Sequence, residues 1–149
     1  MSNEPLYYDD VQVGDTWQSG ARTVTETDVV MFAGLTGDFN PLHVDDEFAR
    51  ESFYGQRIAH GLYGTSLVAG LGSHSPLMRT EAFVAIRDWY FLKPMFLGDT
   101  MHVHTEVLEK RESGRRRGTV VWKRQLINQK GEIVQSGLFE SVVSRRKSP

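Results

Sequence analysis

Residues 35–45, LTGDFNPLHVD, place an acid, an amide and an imidazole around a proline: Asp38, Asn40, Pro41 and His43. A carboxylate and an imidazole are side chains that commonly take up and deliver protons in enzymes. Asp38 and His43 are five positions apart, on either side of a turn fixed by proline, so both could converge on a single water molecule. The pattern also fits a structural role, with Asp38 and Asn40 capping and turning the chain after a helix and His43 half-buried with its hydrogen bonds satisfied.

The residues before this segment predict a helix that would position it. Thr25 can cap a helix, and Asp28 three positions later makes an imperfect capping box, because that position prefers Glu or Gln. Apolar residues then follow at helical spacing, so the helix should end by Gly37. Because Pro41 has no backbone N–H and biases the residue before it toward extended geometry, residues 37–45 are predicted to form a turn.

Residues 60–76, HGLYGTSLVAGLGSHSP, predict a second helix that is apolar on every face, with no acidic or basic residue between Gly61 and Gly72. Such a helix should be buried at the centre of the fold. Its four glycines oppose helix formation by about 1 kcal/mol each relative to alanine. Burial in the tertiary structure must compensate for them.

The remainder of the chain is strand-like over residues 82–92, 100–110, 117–128 and 132–144, separated by glycine-containing turn signals. A first strand is predicted near residues 16–24. Successive hairpins imply an antiparallel meander, and an antiparallel sheet of four or five strands wrapped around one long helix gives an α+β architecture. Without a linker or an internal repeat, residues 1–149 are predicted to form a single domain.

Composition excludes several function classes. A formal net charge of −2 gives no electrostatic case for a nucleic-acid partner. The chain has no cysteine, which rules out a disulfide framework, a cysteine zinc site and a thiol nucleophile. His102 and His104 share one strand face but have no evident third ligand, so no metal is predicted. An acidic N-terminus and the lack of a long apolar run predict a cytoplasmic protein without a membrane partner.

Two segments together resemble a known family. FAGLTGDFNPLH (residues 32–43), followed by IAHGLYGTSLVAGL (residues 58–71), resembles the signature of the MaoC-like, (R)-specific enoyl-CoA hydratases, which have the hot-dog fold. The matching positions are Phe32, Gly37, Asp38, Asn40, Pro41, Leu42, His43, His60 and Gly61. The resemblance covers about residues 10–144. It implies hydration of a trans-2-enoyl thioester of coenzyme A to the (R)-3-hydroxyacyl thioester, or the reverse dehydration.

The resemblance also implies roles for individual residues. Asp38 and His43 take the places of the family's catalytic acid and histidine, which hold one water between them. Gly61 begins the buried helix, so its backbone N–H could hold the negative charge that develops on the thioester oxygen. Asn40 either holds the loop or orients the water, and His60 is predicted to brace the loop before the helix.

One position departs from the family pattern. Related hydratases often have a serine nine positions after the histidine of the His-Gly pair, where it hydrogen-bonds to the catalytic aspartate. Counting from His60, that position is Ala69. Support for Asp38 is therefore expected from Thr65 or Ser66, or is absent.

The predicted enzyme needs no cofactor, because coenzyme A belongs to its acyl-CoA thioester substrate. A homodimer is expected, since a sheet with apolar residues on both faces around one helix would expose much apolar surface as a monomer. A hot-dog thioesterase is the first alternative, although many of those carry a carboxylate on the central helix and residues 61–72 contain none. The second is a non-catalytic acyl-thioester binding protein, which would not need Asp38 and His43.

Overall fold

The computed structural model describes residues 4–147. The predicted domain limits of 1–149 extend beyond these residues and stay a prediction. After a short 3₁₀ turn at Tyr8–Asp10, the helices are α1 (Glu26–Thr36), α2 (Pro41–Val44), α3 (Asp46–Arg50) and α4 (Gly61–Gly72). The strands are β1 (Thr16–Gln18), β2 (Arg22–Thr23), β3 (Thr80–Phe91), β4 (Thr100–Glu112), β5 (Arg117–Ile127) and β6 (Ile133–Ser144).

The strands form one antiparallel sheet in the order β1-β4-β5-β6-β3, with β2 also paired to β4. The predicted meander is right for β4, β5 and β6. It is wrong for β3, which pairs with β6 and not with β4. The segment between β3 and β4 is a longer connection that packs against the core. Met95 in this segment is buried, and its carbonyl accepts the Ala59 N–H at 2.8 Å.

The predicted first strand is two short strands in the structure. At Ser19 the regular pairing with β4 is altered: its backbone N–H donates to the Val103 carbonyl at 2.9 Å, but its hydroxyl, and not its carbonyl, accepts the Val103 N–H at 2.8 Å. The chain therefore bends between β1 and β2. Both remain at the edge of the sheet, beside β4.

The sheet curves around α4, whose buried side chains meet the concave face of β4, β5 and β6. Tyr63, Leu67 and Val68 supply the helix side of this core, and Val107 and Phe139 are among its sheet residues. Each such side chain contributes about 1.5–3 kcal/mol when fully buried. This contact offsets the low helix propensity of the four glycines.

One face of α4 is open, which corrects the prediction that the helix is buried on every side. Leu62, Ser66, Ala69 and Gly70 are exposed along it. The neighbouring edge strand β3 is also exposed along most of its length, including the apolar residues Phe83, Val84, Ile86, Tyr90 and Phe91. Within residues 4–147, no helix is both long and apolar enough to span a bilayer.

Candidate active site

The helix that precedes the candidate acid, α1, begins and ends as predicted. At its start, the Thr25 hydroxyl accepts the Asp28 N–H at 3.2 Å, and the Asp28 carboxylate accepts the Thr25 N–H at 3.0 Å. At its end, Gly37 adopts a left-handed conformation with φ of 80° and donates its N–H to the Ala33 carbonyl at 2.8 Å. Glycine tolerates this conformation without strain, and the reversal directs the chain into Asp38.

The predicted turn over residues 37–45 is shorter than expected, because Pro41 begins helix α2. Proline suits a first helical position, where its missing N–H would have no partner. Asn40 caps this helix by accepting the Leu42 N–H at 3.0 Å, and the Asp38 carboxylate accepts the Asn40 N–H at 3.2 Å. Asn40 therefore holds the loop through its side-chain oxygen, which favours the first of its two predicted roles.

His43 lies on α2 with one ring nitrogen fixed. Its Nδ1 is 2.8 Å from the Ile58 carbonyl oxygen, which can only accept a hydrogen bond, so Nδ1 carries a proton. In the neutral ring, the lone pair is therefore on Nε2, which lies 3.9 Å from Oδ2 of Asp38. This gap is too long for a direct hydrogen bond and suits a water held by both groups.

His60 contacts both candidate catalytic residues. Its Nε2 donates to the Asp38 backbone carbonyl at 2.9 Å, and its ring stacks on that of His43 with centroids 3.7 Å apart. The ring of Phe32 also packs against that of His60, with ring centres 5.0 Å apart. His60 is 3% exposed, so these contacts define its position. The geometry agrees with a bracing role, although the loop it braces is the one that carries Asp38.

Gly61 begins α4, as predicted. His60, which precedes it, makes no side-chain cap, and the Gly61 N–H has no acceptor among residues 4–147. A Cβ at Gly61 would lie 3.0 Å from the Phe91 ring. The unpaired N–H at a helix N-terminus carries partial positive charge and can hold an oxyanion.

These groups share one cavity of about 320 Å³. Its walls are formed by Phe32, Thr36, Asp38, His43, His60, Gly61, Leu62 and Phe91. An acid, an imidazole and a free helix-end donor therefore face the same space, which is otherwise bounded mainly by apolar side chains. The arrangement can bind a polarised carbonyl and move a proton beside it.

Neither Thr65 nor Ser66 supports Asp38, which leaves the second of the two predicted alternatives, that this support is absent. The Thr65 hydroxyl donates to Oε1 of Gln135 at 2.9 Å, and the Ser66 hydroxyl donates to the Leu62 carbonyl at 2.8 Å. Both residues lie beyond the first turn of α4, where other acceptors are nearer. In the part of the chain that the structure describes, no side-chain donor contacts the Asp38 carboxylate.

Sequence reasoning missed Gln135, which is 1% exposed on β6. Its Nε2 donates to the Gly61 carbonyl at 2.8 Å, while its Oε1 accepts from Thr65 and from the indole N–H of Trp89. Gln135 thus ties the first turn of α4 to the sheet. The available signal was a glutamine at an inward-facing position of a strand.

Asp38, His43 and His60 each place a potential metal-ligand atom within 4.8 Å of the others. Nδ1 of His43 and Nε2 of His60 have carbonyl partners, which leaves Nε2 of His43 and Nδ1 of His60 as the ring nitrogens that could bind a metal. However, the two rings lie face to face, 25° from parallel, so the in-plane lone pairs of these nitrogens do not converge. This geometry disfavours a three-ligand site, and the expectation of no metal stays a prediction.

Comparison with known proteins places this fold and site in a family. Residues 11–129 match the model of the MaoC like domain. The chain is 38% identical over 105 residues to 3-hydroxybutyryl-CoA dehydratase of Methylorubrum extorquens, a match covering 70% of this chain and 65% of that protein. It is 33% identical over 96 residues to (R)-specific enoyl-CoA hydratase of Rhodospirillum rubrum, covering 64% and 65% of the respective chains. The matched parts thus span slightly less than two thirds of either relative.

A solved structure extends the likeness to nearly the whole chain. The MaoC-like dehydratase from Rhodospirillum rubrum superposes with a TM-score of 0.85 at 32% identity, covering 96% of this chain and 99% of that one. The antiparallel sheet wrapped around α4 is a hot-dog fold, which confirms the predicted α+β class. The chain belongs to the MaoC-like dehydratase family, which includes hydratases and dehydratases named for acyl-CoA substrates.

Proposed function

We propose that this protein adds water to a trans-2-enoyl thioester of coenzyme A, giving the (R)-3-hydroxyacyl thioester, or catalyses the reverse dehydration. The observation that carries the proposal is the 3.9 Å gap between His43 Nε2 and Asp38 Oδ2, beside the uncapped start of α4. Relatives named as a 3-hydroxybutyryl-CoA dehydratase and an (R)-specific enoyl-CoA hydratase support the same reaction class.

The first step requires a water oriented toward C3 of the enoyl group. With Nδ1 of His43 protonated, Nε2 and the Asp38 carboxylate are both acceptors, so one water can donate a hydrogen bond to each. As its oxygen bonds to C3, one of the two groups takes a proton, and a proton is delivered to C2. The net change is addition of one water across the double bond.

The same step places negative charge on the thioester oxygen. The Gly61 N–H is the donor for this oxyanion, because it lies at the positive end of α4 and has no acceptor within the described residues. Glycine leaves room for the thioester beside the Phe91 ring. No cofactor is needed for this chemistry.

We further propose that the protein works as a homodimer. The exposed face of α4 and the apolar edge strand β3 are adjacent, and among residues 4–147 β3 pairs with a strand on one side only, β6. Two copies of β3 in antiparallel pairing would extend the sheet and cover both surfaces.

Purified protein mixed with crotonyl-CoA tests the reaction class. Loss of the conjugated-enoyl absorbance, with formation of the (R)-3-hydroxy thioester, is expected. Release of free coenzyme A without loss of the enoyl group would favour a thioesterase instead. Binding of enoyl-CoA without either reaction, for short and long acyl chains alike, would favour a non-catalytic binding protein.

A further inference from the structure

Arg124 on β5 is a buried cation without an acidic partner. It is 8% exposed, and no Asp or Glu side chain forms an ion pair with it among residues 4–147. Buried arginines are usually paired, because removing an uncompensated charge from water is costly. Burial lowers the pKa of Arg124 to about 10, so the guanidinium still carries its charge at neutral pH.

The contacts of Arg124 satisfy only part of its guanidinium. Nη2 donates to the Gly72 carbonyl at the end of α4, at 3.2 Å. The charged carbon lies 5.1 Å from the ring centre of Phe139 and 5.9 Å from that of Trp122, within the range of cation–π attraction. The Nε–H is buried and has no partner in the described structure. The end of α4 and the two aromatic rings therefore attract the cation, but they leave N–H donors of the guanidinium without an acceptor among the described residues.

A second unpaired polar atom lies beside it. Thr105 on β4 is directly opposite Arg124 in the sheet register, and its buried hydroxyl has no hydrogen-bond partner among residues 4–147. On the helix side, Gly72 lets the guanidinium pack against the backbone of α4, because a Cβ there would lie 2.5 Å from Nη1 of Arg124. Buried polar groups without partners are rare in native proteins, so these two atoms mark a polar part of the core beside the cavity, although Thr105 itself does not line that cavity.

Arg124 also lines a cavity of about 340 Å³ at the C-terminal end of α4, separate from the cavity of Asp38 and His43. Its other walls are mixed. Ser73, Thr80 and Ser141 are polar, whereas Met78, Phe83 and Phe139 present carbon surface. A ligand that matches these walls has an anionic group at one end and a carbon chain at the other. Arginine is well suited to bind a carboxylate through two parallel hydrogen bonds.

We propose that this C-terminal cavity binds the carboxylate of an organic acid through Arg124, with the carbon chain of the acid lying against the aromatic wall. The carboxylate has two potential sources. One is the far end of the acyl chain of the thioester substrate, which rests on the proposed function. The other is a free carboxylic acid that binds independently of the reaction.

The first source has a geometric rationale in the proposed dimer. Phe83, near the start of β3, lines the Arg124 cavity, and Phe91, at the end of β3, lines the cavity of the catalytic pair. Antiparallel pairing of two β3 strands brings the start of one strand toward the end of the other. An acyl chain held at one active site would then extend toward the Arg124 cavity of the partner subunit.

The test compares enoyl-CoA substrates that differ only at the far end of the chain. Trans-2-hexenedioyl-CoA and trans-2-octenedioyl-CoA carry a terminal carboxylate, and trans-2-hexenoyl-CoA and trans-2-octenoyl-CoA do not. Wild-type protein is expected to have a kcat/KM higher by about tenfold or more for one of the diacid substrates, as a charge-assisted hydrogen bond allows. Arg124→Met should abolish the preference, so that the ratio of kcat/KM between each diacid substrate and its uncharged counterpart falls to about one or below. Arg117→Met, on the exposed start of the same strand, should retain the preference.

Calorimetry with hexanoate and its neutral analogue hexanamide tests the second source and does not depend on catalysis. Saturable binding of hexanoate but not hexanamide, lost in Arg124→Met, would support the site even if no thioester is hydrated. If Arg124→Met does not fold, Ala69→Leu, which narrows the cavity and keeps the arginine, should weaken hexanoate binding. The proposal is overturned if the diacid substrates have no advantage and hexanoate binds no better than hexanamide. Arg124 would then serve only to stabilise the end of α4.

Discussion

At the scale of single residues, the site is defined by a few contacts that leave specific atoms free. One carbonyl fixes the tautomer of His43, one amide caps the helix that carries it, and one glycine begins the central helix without a cap. Asp38, in contrast, has an exposed carboxylate whose only hydrogen bond within the described residues comes from a backbone N–H. The ring of His43 is therefore held by a buried contact, whereas the carboxylate of Asp38 is held only by the backbone of its own loop.

Gly61→Ala should lower activity without lowering stability. The added Cβ would lie 3.0 Å and 3.1 Å from two carbons of the Phe91 ring, so the ring must move into the cavity where the thioester would bind. The backbone N–H is retained, and alanine favours the helix by up to about 1 kcal/mol. We expect kcat/KM for crotonyl-CoA to fall by at least about tenfold for a misplaced substrate.

The double variant Gly61→Ala, Phe91→Leu is the control for this steric explanation. Removing the ring should restore a substantial part of the lost activity. An unchanged kcat/KM in Gly61→Ala, measured alongside an unchanged thermal midpoint, would contradict a close approach of substrate to this glycine.

At the scale of helices and strands, α4 is positioned by close packing on one side only. Gly64 faces the sheet, where a Cβ would lie 2.6 Å from the Met95 methyl carbon and closer still to Gln135. Gly70 lies on the open face, where a Cβ would have no atom within 4 Å. The structure therefore requires a residue without a side chain at Gly64 but leaves room for a side chain at Gly70.

Gly64→Ala and Gly70→Ala make a matched pair that tests this packing. Overpacking at Gly64 should destabilise the fold by about 1–3 kcal/mol, whereas alanine at Gly70 should be neutral or stabilising by up to about 1 kcal/mol. Urea unfolding followed by circular dichroism gives both values. Equal effects of the two substitutions would show that α4 does not pack against Gln135 and Met95 as described.

The start of α1 predicts a pH dependence of stability. Burial raises the pKa of Asp28, but its hydrogen bonds with Thr25 and the charge of Arg22 outweigh burial and hold the pKa below 3.8. The carboxylate therefore stabilises the fold above about pH 4, and this contribution is lost as the pH falls through the lowered folded-state value. Asp28→Asn should cost about 1 kcal/mol at pH 7, as for loss of a helix cap, and much less near pH 3. Unfolding curves at both pH values measure the difference, and an equal cost at both would contradict this assignment.

At the scale of the whole molecule, the sequence predicted the features that depend on local signals. The capping box at Thr25, the reversal at Gly37 and the start of α4 at Gly61 each follow from residues close together in the chain. Pairing of β3 with β6 was not predictable in this way, because adjacent strands suggest a hairpin and only packing of the intervening Met95 shows otherwise.

The same limit applies to the site. Gln135 lies 74 positions from Gly61 and contacts it only because its buried side chain on β6 faces the start of α4. Thr65 was expected at Asp38, but its partner is this glutamine. The residues of the proposed catalytic pair lie five positions apart and could be recognised from sequence, whereas the contacts that hold them in place come from the fold.

The open face of α4 and the apolar edge of β3 predict the assembly of the molecule. Ile86→Lys, near the middle of β3, should place a charge in the dimer contact and yield monomers, because burying it unpaired is costly. Leu108→Lys on β4 is the control, since it is similarly exposed but lies away from this edge. Light scattering after size-exclusion chromatography distinguishes the two. Wild-type protein that is monomeric at micromolar concentration would contradict the proposed dimer.

The central claim is that Asp38 and His43 act together on one water. The most direct test is kcat for crotonyl-CoA hydration in Asp38→Asn, His43→Gln and the double variant. Groups that act as a unit give non-additive losses, so each single variant should lose about 10²–10⁴-fold, and the double variant should lose little more. Losses that multiply in the double variant, or a single variant that keeps wild-type kcat, would contradict a shared water between these two residues.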